Sequence, residues 1–260
     1  MNQPIPILLY HRIEDSDLST ATPPQVFRSH LRKLREEGWT SLSSEEFGYL
    51  MSTGRAAPER SFLITFDDGY ASVATEAEGI LREFGFTATL FVSTKFVRDP
   101  EALPDPADAN AASFLDWDQV RRLQSNGIID CQSHTHSHRN FHECTETELR
   151  HDLIRSIDIL ASELDLPRSH FSHLAWPWGL STPAWRALAC GCGFRFQYTV
   201  ARQAFRLDAP VDEIPRTCFD ATGFSAFQRQ LWLQTGQLAA LWDIAYPMGR
   251  SLRRIAGMLR

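Results

Sequence analysis

Two adjacent carboxylates at the end of an apolar run restrict this chain more than any other feature. The run is Ser61-Phe62-Leu63-Ile64, and Thr65-Phe66-Asp67-Asp68-Gly69-Tyr70 follows it. A short apolar run bounded by charge reads as a buried strand. A carboxylate left unpaired at the end of such a strand costs several kcal/mol or is neutralised by a shifted pKa. A cation resolves the conflict, with one carboxylate on a metal and the other acting as a base beside it. The plainer reading is a strand-end turn, in which Asp-Gly is turn chemistry and Asp67 a cap. The hexapeptide does not separate the two, so the rest of the chain must.

The chain has 260 residues, which suits one α/β barrel with a large core that needs no staples. A net charge of -6 excludes a general nucleic-acid binder. Cys131, Cys144, Cys190, Cys192 and Cys218 are odd in number, and Cys190-Gly191-Cys192 is too tight for an ordinary disulfide framework. Reduced thiols and a reducing compartment are expected. Met1-Asn2-Gln3-Pro4 does not open a signal peptide, and no apolar run reaches the roughly 18 residues of a membrane span. The expectation is a cytoplasmic protein.

Taken in order, Ile5-Pro6-Ile7-Leu8-Leu9-Tyr10-His11 reads as a first strand, with Pro6 tolerable near its start. His11 either points into a site or opens a surface loop. Thr22-Pro23-Pro24 starts a helix with threonine at the cap, carried by Phe27, Leu31 and Leu34. Ser43-Ser44-Glu45-Glu46 starts another, which runs to about Gly54. A helix from Ala71 to Phe84, closed by Gly85, leads to the strand Thr87–Val92. Strand, helix, strand in repetition predicts a parallel sheet or barrel. Residues 99–112 read as a loop flanking the site.

After a short helix from Trp117 to Asn126, the strand Ile128–Ser133 delivers His134-Thr135-His136-Ser137-His138, with His142 close behind. Four of the nine histidines thus fall within nine residues, and imidazole clusters are metal-ligand material. On a helical turn His134 and His138 share a face and His136 points away; on a strand all three share one. The chain has just left a strand, so the pair is expected. An exposed histidine-rich turn is the alternative. A helix through about Leu164 precedes His173-Leu174-Ala175-Trp176-Pro177-Trp178-Gly179, a strand ending in a tight turn. Its tryptophans either wall a groove or pack as core. Beyond the helix Pro183–Cys192 and the strand Phe194–Val200, Pro210–Arg216 is the last strand candidate. Arg216 is placed to reach a buried carboxylate.

Residues 223–260 turn helical again and form an extension to residues 1–222. In the final twenty residues Arg250, Arg253, Arg254 and Arg260 interleave with Leu252, Ile255, Ala256 and Leu259 at helical spacing. That reads as a helix packed on the barrel with its arginines outward. Contact with a membrane surface or partner is the alternative.

Taken together, these residues resemble the polysaccharide deacetylase family, carbohydrate esterase family 4, with its NodB homology domain. The match covers roughly residues 5–220. It rests on Thr65–Tyr70, on His134–His138, on Thr87-Ala88-Thr89-Leu90-Phe91-Val92, and on Trp117-Asp118-Gln119-Val120 leading to Gly127. The resemblance implies a distorted (β/α)7 barrel. It implies one divalent metal, zinc first and cobalt, iron or nickel after it, on Asp68, His134 and His138, with Asp67 as general base. Two departures stand out. The usual Arg-x-Pro-aromatic motif is replaced by Ala175-Trp176-Pro177-Trp178-Gly179, and no Leu-His pair follows residue 200. Both are similar to the branch that begins with a Tyr-His strand, where His11 would be the general acid and Arg216 would orient Asp67. Tyr70, Trp176, Pro177, Trp178 and Gly179 are the expected substrate contacts.

The activity implied is N-deacetylation of N-acetylhexosamine units in a polysaccharide or glycan. The alternatives are a deacylase or deformylase of a small or lipid-linked amino sugar, and a non-catalytic sugar-binding module. The module has no need of an intact Asp67, Asp68, His134 and His138.

Overall fold

The computed structural model describes residues 4–99 and 113–246. All of the expected loop 99–112 but Asp99, and the arginine-bearing tail, lie outside the described residues. The strands are β1 (Ile7–Tyr10), β2 (Arg12–Ile13), β3 (Ala21–Thr22), β4 (Thr40–Ser41), β5 (Ser61–Phe66), β6 (Ala88–Val92), β7 (Ile129–Ser133), β8 (His173–Ala175), β9 (Phe196–Tyr198) and β10 (Thr217–Cys218). Between them lie α1 (Pro24–Glu36), α2 (Ser44–Thr53), α3 (Glu78–Phe84), α4 (Trp117–Ser125), α5 (Glu146–Leu164), α6 (Pro183–Gly191) and α7 (Phe224–Thr235).

One sheet runs in the order β10-β1-β5-β6-β7-β8-β9, with β4 beside the start of β5. Every pairing in it is parallel. The sheet curls until its edges meet. Backbone N–H groups of Gln197, Thr199 and Ala201 donate to the carbonyls of Val211, Ile214 and Arg216, each at 2.8 Å. This is the distorted barrel that the resemblance implies, with helices outside.

Alternation along each strand divides its side chains between two cores. On β5, Phe62, Ile64 and Phe66 enter the outer core under the helices, and Leu63 enters the inner one. On β8, Leu174 lies outside and Ala175 inside, and on β9 Phe196 and Tyr198 lie inside. The same parity carries past the strand ends. Residues 11, 67 and 134 continue the inward rows of β1, β5 and β7, and residue 176 continues the outward row of β8. Parallel register brings those ends level, with Tyr10 opposite Phe66 and Val92 opposite Ser133. The inward row therefore delivers chemistry to one rim of the barrel, at the C-terminal ends of its strands.

Local sequence explains most helix ends. Ser43 with Glu46, Asp116 with Gln119 and Thr145 with Glu148 form reciprocal capping boxes on α2, α4 and α5. Gly54 and Gly85 close α2 and α3 in the left-handed conformation.

Three expectations shift. Thr22 does not cap α1, because it pairs Ile13 in the small β2–β3 ladder; Pro23 holds the cap position without a side-chain bond. The helix expected from Ala71 begins as a π-turn, Val73–Ala77, while Ser72 Oγ accepts from the Ile13 N–H at 3.1 Å. The last strand falls at Thr217–Cys218 rather than within 210–216. Pro215 has no N–H to give a ladder, so only a bridge between Tyr198 and Ile214 forms before it.

α7 packs against α1 and β10. Phe227 stacks on the buried His30 of α1 at 4.1 Å, and Gln234 Nε2 donates to Thr217 Oγ1 at 2.6 Å. All five cysteines are free thiols. No helix among the described residues is long and apolar enough to cross a membrane.

Candidate active site

Asp67 is held by the largest buried cation of the barrel. Arg216 is fully buried between Phe91 and Tyr198, 5.2 and 5.9 Å from their ring centres. Its two terminal nitrogens donate to Asp67 Oδ1 at 2.6 Å and Oδ2 at 2.7 Å, a bidentate fork. Further donations to Thr65 Oγ1 at 3.2 Å and the Thr199 carbonyl at 3.3 Å fix the guanidinium plane. Burial alone would raise the Asp67 pKa. The Arg216 charge outweighs it, and the carboxyl sits below its usual range.

Asp68 continues the outward row of β5, yet its carboxylate reaches the rim. The backbone achieves this with a left-handed turn at Asp68, φ 72°. Thr135, His138 and Trp178 adopt the same region, at φ 69°, 49° and 54°. Each such non-glycine residue costs on the order of 1–3 kcal/mol, and such strain gathers where a site over-determines the backbone. The histidine loop is also tied from below. Asp152 of α5 accepts from the His136 N–H at 2.8 Å and the Ser137 N–H at 3.3 Å.

Asp68, His134 and His138 turn one ligand atom each toward a common point, all within 4.8 Å of one another. His134 Nε2 and His138 Nε2 lie 3.3 and 3.2 Å from Asp68 Oδ1. His134 Nδ1–H donates to the Ala175 carbonyl at 2.8 Å, which leaves the Nε2 lone pair facing the carboxylate. Asp68 Oδ1 is buried without a hydrogen-bond partner. Lone pairs aimed at one another and at an unsatisfied carboxylate oxygen form a donor set that a divalent cation fits. His136 points elsewhere, with Nδ1 2.8 Å from Thr94 Oγ1.

His11 reaches the same rim with a partner that the sequence did not disclose. Its Nδ1–H donates to Asp220 Oδ2 at 2.5 Å, and its backbone N–H to Oδ1 at 3.0 Å. Burial would lower the His11 pKa. The bond to Asp220, contact with Cys218 and the charges of Asp220 and Asp67 push it up to about 11. Asp220 lies 209 residues away in sequence. Its one signal was parity, since residues 216 and 220 lie an even number of places from Cys218 on either side of β10.

The expected substrate contacts divide. Trp178 is 57% exposed and meets His138 edge-to-face at 4.7 Å. Tyr70 stacks on Phe114 at 4.8 Å, with the Arg12 guanidinium 3.8 Å from its ring centre. Trp176, in contrast, is completely buried against Phe141 and the Trp185 of α6, with Nε1–H donating to Gln197 Oε1 at 3.1 Å. The outward parity of β8 sends it there, so it is a core side chain and not a groove wall. Pro177 is buried beside it. Gly179 serves the turn: its φ is 67°, and an added Cβ would lie 2.4 Å from the Val200 nitrogen.

Comparison with known proteins gives the family and the fold. YxkH of Bacillus subtilis is 26% identical over 152 residues, 58% of this chain and 50% of YxkH. A poly-beta-1,6-N-acetyl-D-glucosamine N-deacetylase of Escherichia coli K12 is 26% identical over 132 residues, 48% of this chain and 20% of its own. An enzyme of the same name from Staphylococcus epidermidis is 23% identical over 211 residues, 79% of this chain and 70% of its own. This chain thus spans half or less of the first two. Among solved structures, deacetylase PplD of Streptococcus pyogenes superposes with a TM-score of 0.76 at 19% identity, covering 88% of this chain and 99% of that one. IcaB of Ammonifex degensii gives 0.73 at 22% identity, covering 90% and 98%. At such identities the likeness establishes the fold. Residues 54–197, more than half of the chain, match the family model described as Polysaccharide deacetylase, and the protein belongs to that family.

Proposed function

We propose that this protein is a metal-dependent hydrolase that removes N-acetyl groups from N-acetylhexosamine units of a polysaccharide or glycan. One observation carries the reading: Asp68, His134 and His138 converge on one point beside an Asp67 carboxylate locked by Arg216. A structural turn would need no such convergence, and a sugar-binding module no locked carboxylate. Relatives named poly-beta-1,6-N-acetyl-D-glucosamine N-deacetylase support an N-acetylhexosamine polymer as the substrate class.

A divalent cation on Asp68, His134 and His138, zinc before cobalt, iron or nickel, would polarise the amide carbonyl and acidify a water, with coordination positions left for both. Asp67 takes the proton of the attacking water on a carboxylate oxygen. Arg216 keeps that carboxylate ionised and fixes its plane, at some loss of basicity. His11 stands protonated at neutral pH, and its Nδ1–H is engaged by Asp220. Its Nε2–H is therefore the proton available to the departing amine. Trp178 offers an exposed ring face to a sugar.

The test is acetate release from N-acetylglucosamine oligomers of increasing length by metal-loaded protein, with a chelated control. Chelator-sensitive release that grows with length is the expected result. A metal-loaded protein that releases no acetate from any oligomer would overturn the substrate class.

A further inference from the structure

Among the described residues two clusters of side chains could each hold a metal ion. One is Asp68, His134 and His138. The other is His11, Cys218 and Asp220, whose ligand atoms also lie within 4.8 Å of one another. The proposed reaction draws its proton from the Nε2 side of His11, and Cys218 has no part in it.

Asp220, with a side chain only 4% exposed, organises the second cluster. Its Oδ1 accepts from the His11 backbone N–H at 3.0 Å, which fixes the carboxylate plane. Its Oδ2 accepts twice, from His11 Nδ1–H at 2.5 Å and from the Cys218 thiol at 3.2 Å. Two protons are thus gathered between an imidazole nitrogen, a thiol sulfur and one carboxylate oxygen. Cys218 lies level with Leu9 of β1, two residues before His11, so the strand pairing itself holds the donors together. Cys218 is a free, half-buried thiol and the His11 side chain is 20% exposed, so an ion has a way in.

Imidazole, thiolate and carboxylate are the ligand types that zinc takes, and the thiolate selects against magnesium and calcium. Tetrahedral coordination at about 2.0–2.3 Å spaces its donors roughly 3.3–3.7 Å apart. The contacts at 2.5 and 3.2 Å need widen by less than about 1 Å to admit the ion. The exchange also balances in charge. With both protons in place, the Asp220 carboxylate cancels the His11 imidazolium and the thiol is neutral. With a divalent ion in their place, the carboxylate and the thiolate cancel the ion and the imidazole is neutral. Filling this largely buried site therefore strands no net charge.

We propose that His11, Cys218 and Asp220 form a second zinc site, filled when the ion displaces the protons of His11 Nδ1 and Cys218 Sγ. Three protein ligands leave the fourth position to water. The site fills after that of Asp68, His134 and His138, and only in an excess of zinc, because two protons must leave first. Zinc on Nδ1 also changes what His11 can give. The proton left on Nε2 then belongs to a neutral imidazole, and surrendering it would leave an imidazolate, so the departing amine loses its donor. The second zinc is therefore inhibitory. Only this effect rests on the proposed deacetylase reaction; the site stands on its own geometry.

The test is titration of the metal-free protein with cobalt(II), a spectroscopic substitute for zinc. Two equivalents should bind, and a thiolate-to-cobalt charge-transfer band in the near ultraviolet should grow with the second. Cys218→Ser should abolish the band and weaken the second equivalent at least about tenfold, and Asp220→Asn should weaken it likewise. His138→Ala should keep the band, which separates this site from the other. With zinc, the second equivalent should lower acetate release from N-acetylglucosamine oligomers at least about tenfold in wild-type protein. Cys218→Ser should hold its own one-equivalent rate. No band in wild-type protein, or a band that survives Cys218→Ser, would overturn the site. A full band with undiminished release would overturn the inhibition. Absence of release at one equivalent would count against the deacetylase reaction, and the band would still decide the site.

Discussion

Replacing Arg216 with methionine separates the electrostatics of the barrel from its packing. Methionine roughly keeps the length and apolar bulk between Phe91 and Tyr198, so the loss is chiefly that of the cation. Asp67, only 3% exposed, is left without the two charge-assisted bonds at 2.6 and 2.7 Å. Breaking a buried ion pair from one side costs about 3–5 kcal/mol, because the stranded charge cannot regain water. For a chain of this size that corresponds to a fall in Tm of about 6–20 °C. The double variant Asp67→Asn/Arg216→Met removes both charges and should recover at least about 2 kcal/mol over Arg216→Met alone. Thermal and urea unfolding of chelator-treated protein at pH 7, followed by circular dichroism, reads both values. Strictly additive losses in the cycle, or an unchanged Tm for Arg216→Met, would refute the assignment of the pair as a mutually dependent buried unit.

Other consequences follow from the same geometry. Trp176→Ala should cost about 3–5 kcal/mol of stability in denaturant titration, whereas Trp178→Ala should raise KM and leave the midpoint nearly unmoved. Gly179→Ala must relieve both its positive φ and the 2.4 Å approach to the Val200 nitrogen, so a loss of at least about 1 kcal/mol is expected in the same titration. His30 and His173 are buried and their pKa values are lowered to about 4, chiefly by burial. Both are neutral in the fold and titrate near 6.5 when unfolded. Their contribution is therefore present above about pH 6.5 and is lost as pH falls toward 4, on the order of 3 kcal/mol each. His30→Gln should flatten that acid limb in urea titrations across pH, and an unaltered slope would contradict the assignment.

Much of this was legible because the chemistry is written in short local motifs. Asp67 with Asp68, and His134 with His138, sit at strand ends. A strand end in a parallel barrel has one place to point, so proximity in sequence became proximity in space. Arg216 was legible as an arginine at a strand end within reach of a buried carboxylate. Asp220 was not, because a lone acid 209 residues from His11 carries no mark beyond its parity with Arg216 until the barrel closes. Trp176 and Trp178 looked alike in sequence. Parity along β8 buries the first, and a left-handed backbone at the second lifts it into the open. The π-turn after Tyr70 and the break at Pro215 were hidden for a related reason. Both depend on backbone groups already committed to distant partners, Ile13 in one case and β9 in the other.

The central claim is a division of labour between neighbours, with Asp68 holding the cation and Asp67 moving the proton. It is tested most directly by measuring metal content and acetate release side by side on wild-type protein, Asp67→Asn and His138→Ala. One metal per chain in Asp67→Asn with release abolished, and reduced metal in His138→Ala, are the results expected. Loss of metal from Asp67→Asn, or full metal in His138→Ala, would contradict it.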